Sequence, residues 1–149
     1  MTKASLDSPF GALTLVEAAG RIVALRWGRE PGEGSPLLDE AKAQLAAYFD
    51  HHLGMFDLPL DWGTGLHLQV RRAMAAIPLG QTCSYGDIAR KVGAPAQTVG
   101  QACGANPIPI LIPCHRVLGR NGLGGFSAPG GIETKVALLR HEAAAGLLI

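Results

Sequence analysis

The sequence predicts an α/β (α+β) protein: a small N-terminal α/β unit with a β-hairpin over residues 1–63, then a helical domain over 64–149 containing a helix-turn-helix. Three observations predict it. Period-two alternation of apolar residues marks the first 60 or so positions, and helical spacing takes over from Thr64. A capped helix, a tight glycine-bearing turn and a second short helix follow one another between Ser84 and Cys103.

Phe10 to Glu17 and Arg21 to Trp27 are rich in β-formers and are separated by Ala19-Gly20, the pattern of a hairpin. Ser35 is a candidate N-cap with Pro36 at the first helical position, and Leu38, Ala41, Leu45 and Tyr48 recur at helical spacing, so residues 36–50 should form an amphipathic helix. The alternation of Phe56, Leu58 and Leu60 suggests a further short strand. Leu66, Val70, Met74 and Ile77 mark a helix closed by Pro78. Ser84 with Asp87 three residues on fits a capping box, and Gly93 supplies a stop. A short helix should then run from about Ala96 to Cys103, and a last one from about Glu133 to Ala145. The small residues Ala96, Thr98, Gly100, Ala102 and Gly104 suit a helix that approaches another backbone closely, because each helical glycine otherwise costs about 1 kcal/mol relative to alanine. Such a helix would enter a nucleic-acid groove by shape and read little sequence. An ordinary helical hairpin in a core would look the same.

Composition narrows the class. Of 149 residues, 48% are hydrophobic and 17% charged, which describes a folded globule. No apolar run reaches the roughly 20 residues of a membrane span, and the first residues lack a signal-peptide core, so a cytoplasmic protein with no membrane partner is expected. Residues 1–80 carry a net −2 and residues 81–149 a net +3, a modest bias that suits a polyanion partner in the second half. Three cysteines without a C-x-x-C pair argue against a disulfide framework and a zinc site, so no metal is expected. His51 and His52 read as solvated residues after a helix end.

The chemistry concentrates at Asn106-Pro107-Ile108-Pro109-Ile110-Leu111-Ile112-Pro113-Cys114-His115-Arg116-Val117. A free thiol, with a pKa of about 8.5, is only slightly ionised near neutrality; an adjacent base and a positive environment, here His115 and Arg116, would change that. Cys114 could equally be a small buried hydrophobe ending a core strand. Between Gly119 and Gly131, six glycines in thirteen positions match a phosphate-binding loop poorly and fit a flexible pocket wall with Phe126 as a stacking surface.

The cysteine segment closely resembles that of the O6-alkylguanine-DNA alkyltransferases (methylated-DNA–protein-cysteine methyltransferases). Asp7-Ser8-Pro9-Phe10-Gly11, Ile77-Pro78-Leu79-Gly80, Ser84-Tyr85-Gly86-Asp87-Ile88-Ala89 and Leu138-Leu139-Arg140-His141-Glu142 resemble family segments in the family's order, so the likeness spans almost the whole chain. It implies a winged-helix-like C-terminal domain and a DNA repair reaction. An O6-alkylguanine, with O4-alkylthymine as a second candidate, is flipped from the duplex and its alkyl group passes irreversibly to Cys114 in a single turnover. His115 would be the general base through a bridging water, Glu142 would fix its tautomer, and Asn106 would tie the cysteine loop to the DNA-contacting helix. Tyr85 would crowd a phosphate and protonate the leaving guanine. DNA contacts are expected from Ser84, Gln97, Thr98, Gly100, Gln101, Arg116 and Arg120, and a substrate pocket from Pro109, Val117, Phe126 and Ser127. The partner implied is double-stranded DNA carrying alkylated bases, bound in the minor groove with little sequence specificity by a monomer, with no cofactor.

Two positions depart from the family's pattern. The position where the family usually carries an arginine to fill the gap left by the flipped base is Gln97 here, which lacks the charge and planar fork. A common pocket tyrosine is replaced by Phe126, beside an apparent insertion at Ala128-Pro129. Two rival functions remain at this stage: an alkyltransferase-like protein that binds lesions with weak or no transfer, which the presence of Cys114 opposes, and a helix-turn-helix regulator with an incidental cysteine.

Overall fold

The computed structural model describes residues 1–119, 122–126 and 128–143. The chain is of mixed α and β character and divides into two compact units, Met1–Asp61 and Trp62–Ile149.

The first unit is built on an antiparallel sheet, β1 (Thr2–Leu6), β2 (Leu13–Ala18) and β3 (Arg21–Trp27), with β2 in the centre. The hairpin expected from the sequence is β2–β3, with a register irregularity at Val16/Glu17. The sequence reading missed β1, whose Thr-Lys-Ala-Ser-Leu carries little apolar signal; strand pairing and the Ser5–Thr14 side-chain hydrogen bond (2.9 Å) hold it instead. Leu13, Thr14, Leu15 and Val16 are all fully buried, as a central strand covered on both faces requires. Helix α1 (Pro36–Phe49) packs on β1 and β2 through Leu38, Ala41, Leu45 and Tyr48. Ser35 caps it, its Oγ accepting from Leu38 N at 3.1 Å. The strand expected at Phe56–Leu60 does not form: only an isolated bridge joins Leu60 to Ile22.

The second unit holds α2 (Gly65–Ala75), β4 (Cys83–Ser84), α3 (Tyr85–Val92), α4 (Ala96–Gly104), β5 (Val117–Leu118) and α5 (Ile132–His141). The capping box is present at α3: Asp87 N donates to Ser84 Oγ and Ser84 N to Asp87 Oδ2. Gly93 ends the helix in the left-handed conformation (φ 72°). Helices α2, α3 and α4 pack on one another. Two-residue strands β4 and β5 pair in parallel, Cys83 opposite Val117, and fasten the residue after the cysteine turn to the start of α3. These strands were too short to show in the sequence. Val70, Met74, Ile88, Val99, Ile108, Ile112, Leu138 and Leu139 are among the buried apolar residues of this unit's core. No helix among the described residues is long and apolar enough to cross a membrane.

Replacing Ser35 with alanine removes the acceptor for Leu38 N; a loss of about 1 kcal/mol in denaturant unfolding is expected, with activity per folded molecule unchanged.

Candidate active site

The segment from Asn106 to Pro113 forms turns, with no strand within it. Leu111 N donates to Pro109 O (2.8 Å) across Ile110, whose φ is +71°, and Cys114 N donates to Ile112 O (2.8 Å) across Pro113 at φ −80°, ψ 69°. These are γ-turns of opposite hand; the first is the strained kind, and a β-branched residue at positive φ costs energy wherever it occurs. Ile110 stays there because its side chain is almost fully buried. Asn106 staples the loop across its base, Nδ2 donating to Ile112 O at 2.9 Å and Oδ1 accepting from Ile108 N at 3.1 Å. Prolines and a side-chain clamp thus replace a regular element in fixing Cys114.

Cys114, His115 and Arg116 form a single 3-10 turn. His115 is fully buried, and its Nε2 lies 2.7 Å from Glu142 Oε2 at the end of α5. Arg116 grips the same carboxylate in a fork, Nε to Oε1 at 2.8 Å and Nη2 to Oε2 at 3.0 Å, while Nη1 donates to Ile77 O at 2.7 Å. Burial pushes the Glu142 carboxyl up, but the hydrogen bonds from His115 and Arg116 outweigh it and hold the group at about 2. An ionised carboxylate only accepts, so His115 Nε2 must be the donor. Desolvation lowers the imidazole against the pull of Glu142, so the ring is neutral near pH 7 with its lone pair on Nδ1. That atom is buried and has no hydrogen-bond partner among the described residues.

The thiol itself is raised, chiefly by burial, against the opposing effects of a hydrogen bond with Asn106, the charge of Lys135 and nearby backbone amides. Cys114 is therefore protonated at rest, and a base must act when it reacts. This corrects the expectation that Arg116 would supply the activating charge or contact DNA: it is buried, and its charge is neutralised by Glu142. The cation that acts on the thiol is Lys135 of α5, which the sequence reading did not single out. Its spacing to Leu138, Leu139 and Glu142 places all four on one helix face, the signal that was available.

Cys114 opens into a cavity of about 350 Å³, within the usual range for ligand sites. Tyr85, Asn106, Pro109, Gly125 and Phe126 line it together with Gly100, Cys103 and Gly104 of α4. Gly124 (φ 74°) passes so close to Tyr85 that an added Cβ would sit 3.3 Å from the phenol oxygen. Burial, the largest influence, raises the Tyr85 phenol, which keeps its proton at neutral pH. Of the expected pocket residues, Val117 is corrected: its side chain is fully buried in β5, and only its carbonyl is used, accepting from Lys135 Nζ at 2.6 Å. Ser127 and Arg120 lie outside the described residues. Gln97, Thr98 and Gln101 are exposed on α4; helical spacing aligns the two glutamines with Gly100 and Gly104 beside the cavity. Ser84 serves as the α3 cap and keeps its hydroxyl proton for donation.

A buried imidazole–carboxylate pair, a thiol opening into a ligand-sized cavity and a small-residue helix with an exposed face define, as a class, a nucleophilic-cysteine protein on a helix-turn-helix scaffold. Residues 66–144 match the family model described as 6-O-methylguanine DNA methyltransferase, DNA binding domain, and residues 1–62 the model for that family's ribonuclease-like domain. The methylated-DNA–protein-cysteine methyltransferase of Mycobacterium bovis is 43% identical over 93% of this chain and 90% of its own. The constitutive enzyme of Bacillus subtilis is 37% identical over 91% and 92%. The crystal structure of Mycobacterium tuberculosis OGT in complex with DNA superposes with a TM-score of 0.84 at 41% identity, covering 96% of this chain and 93% of that one. The chain belongs to the 6-O-methylguanine DNA methyltransferase family.

Glu142 and His115 both bind fewer protons folded than unfolded, so the stability they contribute is complete above their ordinary values of 4.5 and 6.5 and is lost as pH falls. Denaturant midpoints should drop between pH 6.5 and pH 4 and below. Glu142→Gln, which strands Arg116, should cost about 3–5 kcal/mol at pH 7. Equal stability at pH 7 and pH 4 would contradict this.

Proposed function

We propose that the protein repairs DNA by taking an alkyl group from the O6 atom of guanine onto Cys114 Sγ, once per molecule. Membership of the family and relatives above 40% identity that carry the methyltransferase name support the reaction class. The observation that carries the residue assignment is the His115–Glu142 pair with its unsatisfied Nδ1 in the turn that presents Cys114 to the cavity.

The flipped base occupies the cavity. His115 Nδ1 takes the thiol proton through a bridging water. The Cys114 thiolate attacks the alkyl carbon in line, the new S–C bond forms as the C–O6 bond breaks, and the electron pair leaves with guanine. Tyr85, which holds its proton, donates it to the departing base. The thioether product is chemically inert, and no group among the described residues of the site is suited to release it, so the reaction ends there. Asn106 keeps the turn in place, and Pro109 and Phe126 exclude water around the base.

Helix α4 is the element that docks on DNA, in the minor groove. A Cβ added at Gly100 would meet nothing within 4 Å, so this glycine answers no packing demand inside the protein. Its small side is left for an external backbone. The few side chains there, Gln97, Thr98 and Gln101, suit recognition by shape. Gln97 takes the place from which a base is extruded and hydrogen-bonds its orphaned partner without an arginine's charge. O4-alkylthymine is a second substrate, and one protein monomer acts at each lesion.

Incubation with methylated duplex should add one methyl-sized mass to the Cys114 peptide and none to Cys114→Ala; turnover above one per protein would contradict the single-use reaction. Gln97→Arg should speed transfer from duplex DNA more than from free alkylguanine, and equal acceleration of both would remove Gln97 from base extrusion. Gly100→Ala should stabilise the fold by up to about 1 kcal/mol yet slow transfer from duplex; unchanged transfer would mean that α4 does not approach DNA closely.

A further inference from the structure

Lys135 is fully buried, an expensive position for a lysine. Its ammonium donates to Val117 O at 2.6 Å and to Gly125 O at 3.3 Å, and lies 5.9 Å from the centre of the Tyr85 ring. Those contacts reach the strand leaving the cysteine turn, the glycine-rich wall of the cavity, and the proposed proton donor. No carboxylate pairs with it among the described residues, whereas Arg116 is matched by Glu142. A lysine with a purely structural duty could be replaced by an apolar side chain at a gain in stability.

Resting on the alkyl-transfer reading above, we propose that Lys135 is a positioning residue for the nucleophile: its ammonium pins Gly125 to Val117, and its unbalanced charge favours the Cys114 thiolate as the proton leaves. The groups facing this charge are Tyr85 from α3, Cys103 from α4, and Cys114 and His115 from the 3-10 turn, with the Arg116–Glu142 pair behind the imidazole. Arg116 and Glu142 cancel, and His115 and Tyr85 are neutral near pH 7. Cys114 and Cys103 are then the groups that gain from the cation, and Cys103, pushed up to about 12 by burial, holds its proton. Burial lowers Lys135 to about 8, so the charge is present at neutral pH and fades just above it.

The test compares wild type, Lys135→Met and Lys135→Gln, the last keeping a hydrogen-bond donor without the charge. Carboxamidomethylation of Cys114 by iodoacetamide is followed without DNA from pH 6 to 10, peptide mass mapping separating it from Cys83 and Cys103. Transfer from methylated duplex is measured in parallel. Both variants should lose about tenfold in Cys114 reactivity at pH 7, equivalent to one pKa unit, and the gap should close as pH passes 9. A wild-type curve in Lys135→Gln, or a loss of the same size at every pH, would overturn the proposal. Should neither variant fold, the wild-type curve decides: its logarithmic slope should fall below one above about pH 8, and a straight slope of one up to the thiol plateau would overturn the role. If wild type takes no methyl from DNA, the repair reading fails, but the iodoacetamide curves still settle the part played by Lys135.

Discussion

The Glu142 carboxylate, shared between His115 and Arg116 in a buried pocket, is the interaction on which the rest of the site depends. It joins three separate pieces of chain: the end of α5, the cysteine turn and, through Arg116 Nη1, the carbonyl of Ile77 beyond α2. The same contact does chemical work. By accepting from Nε2 it leaves Nδ1 bare, and by pairing with Arg116 it remains ionised where an isolated carboxyl would take up a proton. With the imidazole neutral and the Glu142 carboxylate balanced by Arg116, Lys135 is the one net positive charge beside the thiol among the described residues. Burial keeps the thiol protonated at rest against that one charge, so it reacts only when its proton has somewhere to go.

Around this anchor, the turn from Asn106 to Pro113 sets direction. Ile110 at positive φ, in the strained one of the two γ-turns, would be unfavourable in a free peptide. Burial of Ile108, Ile110 and Ile112, with the Asn106 clamp, offsets that strain and aims Cys114 at a cavity whose other walls combine Gly100, Gly104 and Gly125 with Tyr85, Pro109 and Phe126. Small residues on α4 serve the cavity and an exposed face together. Shape and a few fixed polar atoms, in preference to a dense set of charges, therefore prepare the site for a flat aromatic base.

Much of this was legible in the sequence where a local rule applied. The Ser35 cap, the Ser84–Asp87 capping box, the Gly93 stop and the β2–β3 hairpin follow from nearest-neighbour chemistry, and the structure forms each. What was not legible depends on distant partners. Strand β1 and the short pair β4–β5 exist because another strand lies beside them, and the Phe56–Leu60 alternation touches β3 only at Ile22 and so gains a single bridge. At the site, Cys114 and His115 announce themselves as neighbours, and family resemblance named Glu142, Tyr85 and Asn106. Arg116 was misassigned because its partner lies 26 residues away, and Lys135 was passed over because a lysine on an apolar helix face looks like a snorkelling surface residue.

The most direct measurement of the central claim is nitrogen-15 NMR of the His115 ring at neutral pH. Proton on Nε2, none on Nδ1, and a ring that stays neutral below pH 6.5 are the results that the Glu142 contact requires. A proton on Nδ1, or an imidazolium at pH 7, would mean that this histidine cannot accept the thiol's proton and that the proposed activation of Cys114 is wrong.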